Sequence, residues 1–257
     1  MTEELVNGGK MKNRPNIVYF LVDDMGYGDV SCLNPRGKIN TPNIDNFAEQ
    51  GLIFTDAHST SSVCSPSRYS ILTGRYNWRT KLQEGIVEPY GEPLISEECF
   101  TLPKLLKKYD YKAACIGKWH LGMGWDFEVT EDFLPEHSYD QPASGRSPLP
   151  TQNQKKAWGE AFSKPVKGGP LKAGFDYYFG VDIPNWPPYC YIENDRTVGI
   201  PQNWLDDRLF GSNQASLQGP SMEYWNFEQL LPRFSREADN YISQRAKDDE
   251  PFFLFLP

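Results

Sequence analysis

The chain has 257 residues, 39% of them hydrophobic and 23% charged, and a net charge of −8, which suits one large or two small folded domains with a sizeable core. The acidic balance and the absence of a Lys/Arg cluster exclude a nucleic-acid footprint, which needs positive charge concentrated along phosphates, and point to a small-molecule partner. No apolar run approaches the roughly 18 residues a membrane helix needs, and "MTEELVNGGKMKNRP" lacks the apolar stretch of a secretory signal, so a periplasmic or secreted location would require an export signal already removed.

Residues 1–14 read as a flexible N-terminal segment. "NIVYFLV" (16–22) is an unbroken apolar run, the pattern of a parallel strand buried on both faces, and it stops at Asp23-Asp24. "TPNIDNFAEQG" (41–51) predicts a short amphipathic helix with Thr41 as N-cap, Pro42 at the first position, Gly51 as the stop and Ile44, Phe47 and Ala48 on one face. "GLIFTDAH" predicts a second strand, "TLPKLLKKY" (101–109) a helix, and "KAACIG" a short strand after it. From about 125 to 170 the chain turns Pro-, Gly-, Ser- and Gln-rich and reads as a loop-rich insertion. "FEQLLPRFSREADNYISQRAK" predicts a helix in which Pro232 marks the first turn or a kink, and "PFFLFLP" a fully apolar strand. Strands and helices alternate, so the class is α/β with a mostly parallel sheet flanked by helices.

Three places carry chemistry. Adjacent side chains of a strand point to opposite faces, so Asp23 and Asp24 cannot both lie inside a buried strand and belong just beyond its carboxyl end. There they are a solvated loop or two hard oxygen ligands for Ca²⁺ or Mg²⁺. In "GKWHLG", Lys118 and His120 share one face of an extended chain, pairing a fixed cation with a titratable imidazole, as suits an anionic substrate. In "SSVCSPSRYSILTGRY" (61–76), Cys64 precedes Arg68 by four positions, too close for the phosphatase loop that keeps five residues between its thiolate and arginine. Cys64 also lies among Ser61, Ser62, Ser65 and Ser67 rather than apolar neighbours, unlike a structural thiol. The five cysteines contain no C-x-x-C pair, which argues against a disulfide framework or a thiolate zinc site.

The C-x-P-x-R sequence at Cys64, with "YSILTGRY" after it, resembles the signature of the type I sulfatases, the arylsulfatase-like, formylglycine-dependent hydrolases. "PNIVYFLVDDMGYGD", "TPNIDNFAEQGLIFTDAH" and "IGKWHLG" resemble further parts of that family in the same order, and "GFDYYFG" and "PFFLFLP" extend the likeness to the last residue. The resemblance implies an alkaline-phosphatase-like α/β sandwich, of which residues 15–257 would be the N-terminal portion of the catalytic domain. It implies cleavage of an aryl or carbohydrate sulfate ester. In that family's chemistry Cys64 becomes Cα-formylglycine through the formylglycine-generating enzyme, and its hydrate is the nucleophile. Asp23, Asp24 and the modified Cys64 would hold a divalent metal, Ca²⁺ or alternatively Mg²⁺. Arg68 would hold the hydrate oxygens, Lys118 would neutralise a sulfate oxygen, and His120 would orient or deprotonate the hydrate. No nucleic acid or membrane is implied as partner.

The likeness has a gap. The family also uses a further histidine, a later Asp/Asn pair on the metal and a second lysine from beyond the strand that "PFFLFLP" represents, so this chain is expected to be an incomplete catalytic unit with apolar faces left exposed. A phosphate or phosphonate monoester hydrolase of the same superfamily, or a non-catalytic remnant that binds anions or glycans, is the alternative. His58 reads as a hydrogen-bonded loop residue, His137 as exposed in the insertion, and Trp78, Trp186 and Tyr189 as aromatics packing loops onto the core.

Overall fold

The computed structural model describes residues 14–130, 133, 149–211 and 215–257. In chain order its elements are β1 (Ile17–Phe20), α1 (Pro42–Glu49), α2 (Cys64–Thr73), α3 (Leu102–Lys107), β2 (Lys112–Lys118), α4 (Gln152–Phe162), β3 (Tyr177–Val181), β4 (Ile192–Glu193), β5 (Arg196–Thr197), β6 (Asn203–Trp204), β7 (Pro220–Ser221), α5 (Leu230–Arg245) and β8 (Phe252–Leu256). The main sheet runs β1-β8-β2-β3-β4-β5, with the first four strands parallel and the last two added antiparallel.

The continuous apolar runs are explained by two cores, one on each face. Along β2, Ala113 and Cys115 enter the larger core while Ala114 and Ile116 enter the smaller; along β8, Phe253 and Phe255 join the first, Phe252 and Leu254 the second. Side chains of α2 and α4, such as Tyr69, Leu72, Trp158 and Phe162, complete the larger core, and Ala238 of α5, with Phe234, Tyr241 and Ile242 packed beside it, covers the smaller. The result is the expected α/β sandwich. Pro232 is the third residue of α5, where its missing N–H has no helical partner to lose. No helix among the described residues is long and apolar enough to cross a membrane.

Four expectations are corrected. The run 16–22 is a strand only over Ile17–Phe20, and it is an edge strand rather than one buried on both faces: it pairs only with β8, and Val18 and Phe20 are 50% and 68% exposed. "GLIFTDAH" forms no strand, because an apolar run becomes a strand only with a ladder partner and none pairs with it; Leu52 and Phe54 stay exposed. Helix α1 forms with Thr41 at its N-cap and Pro42 first, as expected, but it buries none of its residues and Phe47 is exposed; the Thr41 side chain makes no cap hydrogen bond and instead donates to the Asp45 carboxylate at 3.0 Å. The loop-rich segment contains α4, whose Thr151 and Gln154 form a reciprocal cap and whose Trp158 is fully buried. The segment assigned to residues 1–14 lies, Arg14 apart, outside the described residues.

Two glycines bring the strands together at the sheet's carboxyl edge. Gly117 faces Gly180 across the β2–β3 ladder and has φ +137°; a Cβ on Gly180 would lie 1.8 Å from the Gly117 carbonyl oxygen, and one on Gly117 would lie 2.2 Å from that of Pro257. Gly180→Ala is therefore expected to lower the unfolding free energy by about 2–3 kcal/mol, the usual cost of overpacking, in urea titrations. An unchanged midpoint would mean the strands separate freely there.

Candidate active site

Parallel strands deliver their following residues to one edge, and here that edge collects the polar groups. β1 leads through Leu21, whose N–H donates to Leu256 O at 2.8 Å, to Asp23 and Asp24. β2 ends in Lys118, whose N–H donates to Pro257 O at 3.2 Å, and leads to His120; β3 leads to Asp182. Asp24 and His120 both have positive φ, +58° and +54°, conformations that cost a non-glycine residue about 1–3 kcal/mol and collect at functional sites.

Helix α2 supplies the rest. Val63 is its extended N-cap and Cys64 its first residue; Pro66 fits the first turn, where an N–H would have no partner. The segment around Cys64 is thus helical. Four positions make one turn, so Cys64 and Arg68 share a face. Gly74, with φ +66°, stops the helix and returns its N–H to Ser70 O at 2.8 Å.

The structure joins four of the six sequence-predicted residues directly. Lys118 Nζ donates to Asp23 Oδ2 at 2.7 Å and to Cys64 Sγ at 3.1 Å. Arg68, 2% exposed, donates from Nη2 to the same Asp23 oxygen at 3.0 Å and from Nη1 to Lys118 O at 2.7 Å. Cys64 Sγ lies 3.7 Å from Asp23 Oδ2. Asp24 is exposed and lines the same cavity, about 640 Å³, with Asp23, His58, Cys64 and Arg68. His120 stands behind, buried, with Nε2 at 3.1 Å from Val87 O.

A family model described as Sulfatase matches residues 15–257. The chain belongs to the sulfatase family. An N-acetylgalactosamine-6-O-sulfatase of Bacteroides thetaiotaomicron is 32% identical over 97% of this chain and 48% of its own length, and arylsulfatase G of Rattus norvegicus is 42% identical over 98% and 42%. A solved sulfatase structure from work on glycosaminoglycan metabolism by Bacteroides thetaiotaomicron superposes with a TM-score of 0.71 at 27% identity, over 95% of this chain and 50% of its own. The chain therefore spans about half the length of the relatives it matches, and its sheet is part of their alkaline-phosphatase-like fold.

Sulfatases of this family generally use a formylglycine and a divalent metal. In this sulfatase chain the donors at the strand end fit such a cation in kind: Asp23 and Asp24 offer hard carboxylate oxygens, and position 64 lies against Asp23. They fit it in part only, since no group of three His, Cys, Asp or Glu side chains among the described residues is arranged to hold a metal, and Lys118 and Arg68 already engage Asp23. Burial opposes ionisation of Asp23, but the hydrogen bond and charge of Lys118, with Arg68 behind them, pull its pKa down to about 2. Arg68 Nε is buried without a partner, a spare donor beside the cavity that fits an anionic oxygen.

The remaining residues sort themselves by contact. His58 is exposed and sits 2.7 Å from Asp56 Oδ1, as a loop histidine would. Tyr189 is buried, and Trp186 donates to Ala215 O at 2.5 Å with its ring 6.3 Å from that of His120. Trp78 does not pack on the core; it is 53% exposed and stacks on Tyr76. His137 lies outside the described residues. Sequence reasoning missed Ser65, fully buried next to Cys64, and Asp182, 4% exposed with Oδ1 unpartnered. Asp182 had a readable signal: in "YYFGVD" an acid directly follows an apolar strand, as Asp23 does.

Burial, reinforced by the Lys118 charge, holds His120 down at about 3 from an ordinary 6.5, while burial raises Asp182 from 3.8 to about 7 against the pull of a His120 backbone hydrogen bond and Lys118. Between pH 3 and 6.5 the unfolded chain binds a proton that folded His120 refuses, so this histidine makes stability rise with pH. Between pH 3.8 and 7 folded Asp182 keeps a proton the unfolded chain releases, so it makes stability fall. The two oppose each other from 3.8 to 6.5. Over that window urea unfolding should show stability rising with pH in Asp182→Asn and falling in His120→Gln, each by up to about 1.4 kcal/mol per pH unit. Parallel profiles in the two variants would refute this assignment.

Proposed function

We propose that the whole protein hydrolyses a sulfate monoester, with residues 15–257 contributing the nucleophile and the sulfate-binding half of its site. One observation carries this reading: Lys118 Nζ touches both Asp23 and Cys64, with Arg68 on the same carboxylate, so two fixed cations converge on the carboxylate that lies against position 64. An anion that approaches Cys64 meets both charges in a partly dry setting, where each is worth more than in water.

Oxidised to Cα-formylglycine, position 64 would supply an aldehyde hydrate as oxygen nucleophile, and a divalent cation on Asp23 and Asp24, Ca²⁺ or Mg²⁺, would supply Lewis acidity. Lys118 then holds a sulfate oxygen, and Arg68 turns its spare Nε–H to an anionic oxygen at residue 64. His120, kept neutral by burial, offers a lone pair for the nucleophile's proton. The first turn of α2, with Ser65, Pro66 and Arg68 buried, presents no extended peptide, so the formylglycine-generating enzyme reads this segment before α2 folds. The likeness to an N-acetylgalactosamine-6-O-sulfatase over nearly the whole chain favours a carbohydrate sulfate as substrate.

Produced with the maturation enzyme, the peptide containing Cys64 should carry the mass of the aldehyde in place of the thiol. Free thiol alone would remove the nucleophile and favour an anion-binding remnant. In the whole matured protein, Lys118→Ala should lower kcat/KM for an aryl or sugar sulfate by about 10²–10³-fold, the loss typical of one preorganised charge or donor. Faster turnover of the matching phosphate ester would reassign the chain to phosphate monoesters.

A further inference from the structure

We propose that Ser65 is a positioning residue that, through the backbone of Val87, fixes His120 in the tautomer protonated on Nε2 and leaves Nδ1 as its reactive nitrogen. The consequence for catalysis rests on the function proposed above; the tautomer itself does not.

Three hydrogen bonds close a circuit. Ser65 Oγ donates to His120 O at 2.8 Å, Val87 N–H donates to Ser65 Oγ at 3.0 Å, and His120 Nε2 lies 3.1 Å from Val87 O. Each direction is forced. A backbone carbonyl accepts only and an amide N–H donates only, so the serine hydrogen must point at His120 O and its lone pair at Val87 N–H. By the same rule Val87 O accepts, and Nε2 must carry the proton it receives. A neutral imidazole has one such proton, so Nδ1 is left with a bare lone pair, and Nδ1 is a buried atom with no hydrogen-bond partner in the structure.

The circuit acts at a residue that needs holding. His120 has φ +54°, outside the conformations a histidine takes readily, and its backbone is clamped at both ends: its N–H donates to Asp182 O at 3.0 Å and its carbonyl accepts from Ser65. Ser65 is fully buried, so no solvent competes for either bond. Consecutive helical residues differ in direction by about 100°, which lets one turn of α2 aim Cys64 and Arg68 at the cavity and Ser65 into the interior. Nucleophile position, guanidinium and the anchor of the histidine thus share a single turn, and a shift of α2 moves them together.

The test is the ¹⁵N spectrum of histidine-labelled protein with Cys64 unmodified, at neutral pH and without substrate. The chain has three histidines, and a His120→Gln sample assigns the signal of interest. Wild type should show His120 wholly as the Nε2–H tautomer; an Nδ1–H form, or a mixture, overturns the proposal with no variant needed. Ser65→Ala should convert the single tautomer to a mixture, whereas Ser65→Thr, which keeps the hydroxyl, should restore it. An unchanged Nε2–H population in folded Ser65→Ala would show that Val87 holds the ring unaided and would refute the role of Ser65. Turnover is measured separately: a pure Nε2–H tautomer in a whole protein that cleaves no sulfate ester would sink the proposed function and leave this inference standing.

Discussion

One carboxylate organises the site. Asp23 Oδ2 accepts from both Lys118 and Arg68, side chains that arrive from β2 and α2 and among the described residues share no other carboxylate. Two cations in a partly buried place repel each other and would each bear a desolvation cost alone; a single carboxylate between them offsets both. Asp23 is thus the hub through which the end of one strand, the end of another and the first turn of a helix are held in register. The chain's net charge of −8 gives a general repulsion toward anions, and this local pair of cations offsets it beside position 64.

That hub works only because the sheet is parallel where it matters. β1, β8, β2 and β3 run the same way, so Asp23, Lys118, His120 and Asp182 emerge at one edge, and Gly117 and Gly180 let the strands approach closely just before it. β8 sits between β1 and β2 and supplies no side chain to the cluster, but its last carbonyls hold Leu21 and Lys118 by their backbones. Its five apolar residues, four of them buried, place those carbonyls.

Much of this arrangement was legible from pattern alone, and the misses have physical reasons. The strands at 112–118 and 252–256 were readable because burial on both faces demands unbroken apolar runs, and C-x-P-x-R was readable because its chemistry is unusual. The run 16–22 has the same pattern yet its strand is an edge, since apolar periodicity reports what a segment can bury and not what is present to bury it. "GLIFTDAH" failed for the same reason. Helix α4 was hidden by the polar composition around it, although Thr151 and Gln154 at capping-box spacing, with Trp158, Ala161 and Phe162 at helical spacing, were there to be read. Ser65 was invisible because its role depends on two backbone atoms contributed by residues 22 and 55 positions away.

The buried groups behind the cluster set what the site can do as pH changes. His120 and Asp182 lie in sequence at the ends of neighbouring strands, joined by the His120 N–H to Asp182 O bond, and the same burial that keeps the imidazole neutral keeps the carboxyl protonated up to about pH 7. Between about pH 3 and 7 both are uncharged, and the net local charge rests on Lys118, Arg68 and the carboxylates of the cavity. From weakly acidic to neutral pH the histidine keeps a lone pair free, behind a Lys118 and an Arg68 whose charges are shared with Asp23. On the proposed function, the site separates two tasks, binding charge at the cavity and holding a proton acceptor behind it, and burial, reinforced at His120 by the Lys118 charge, enforces the separation.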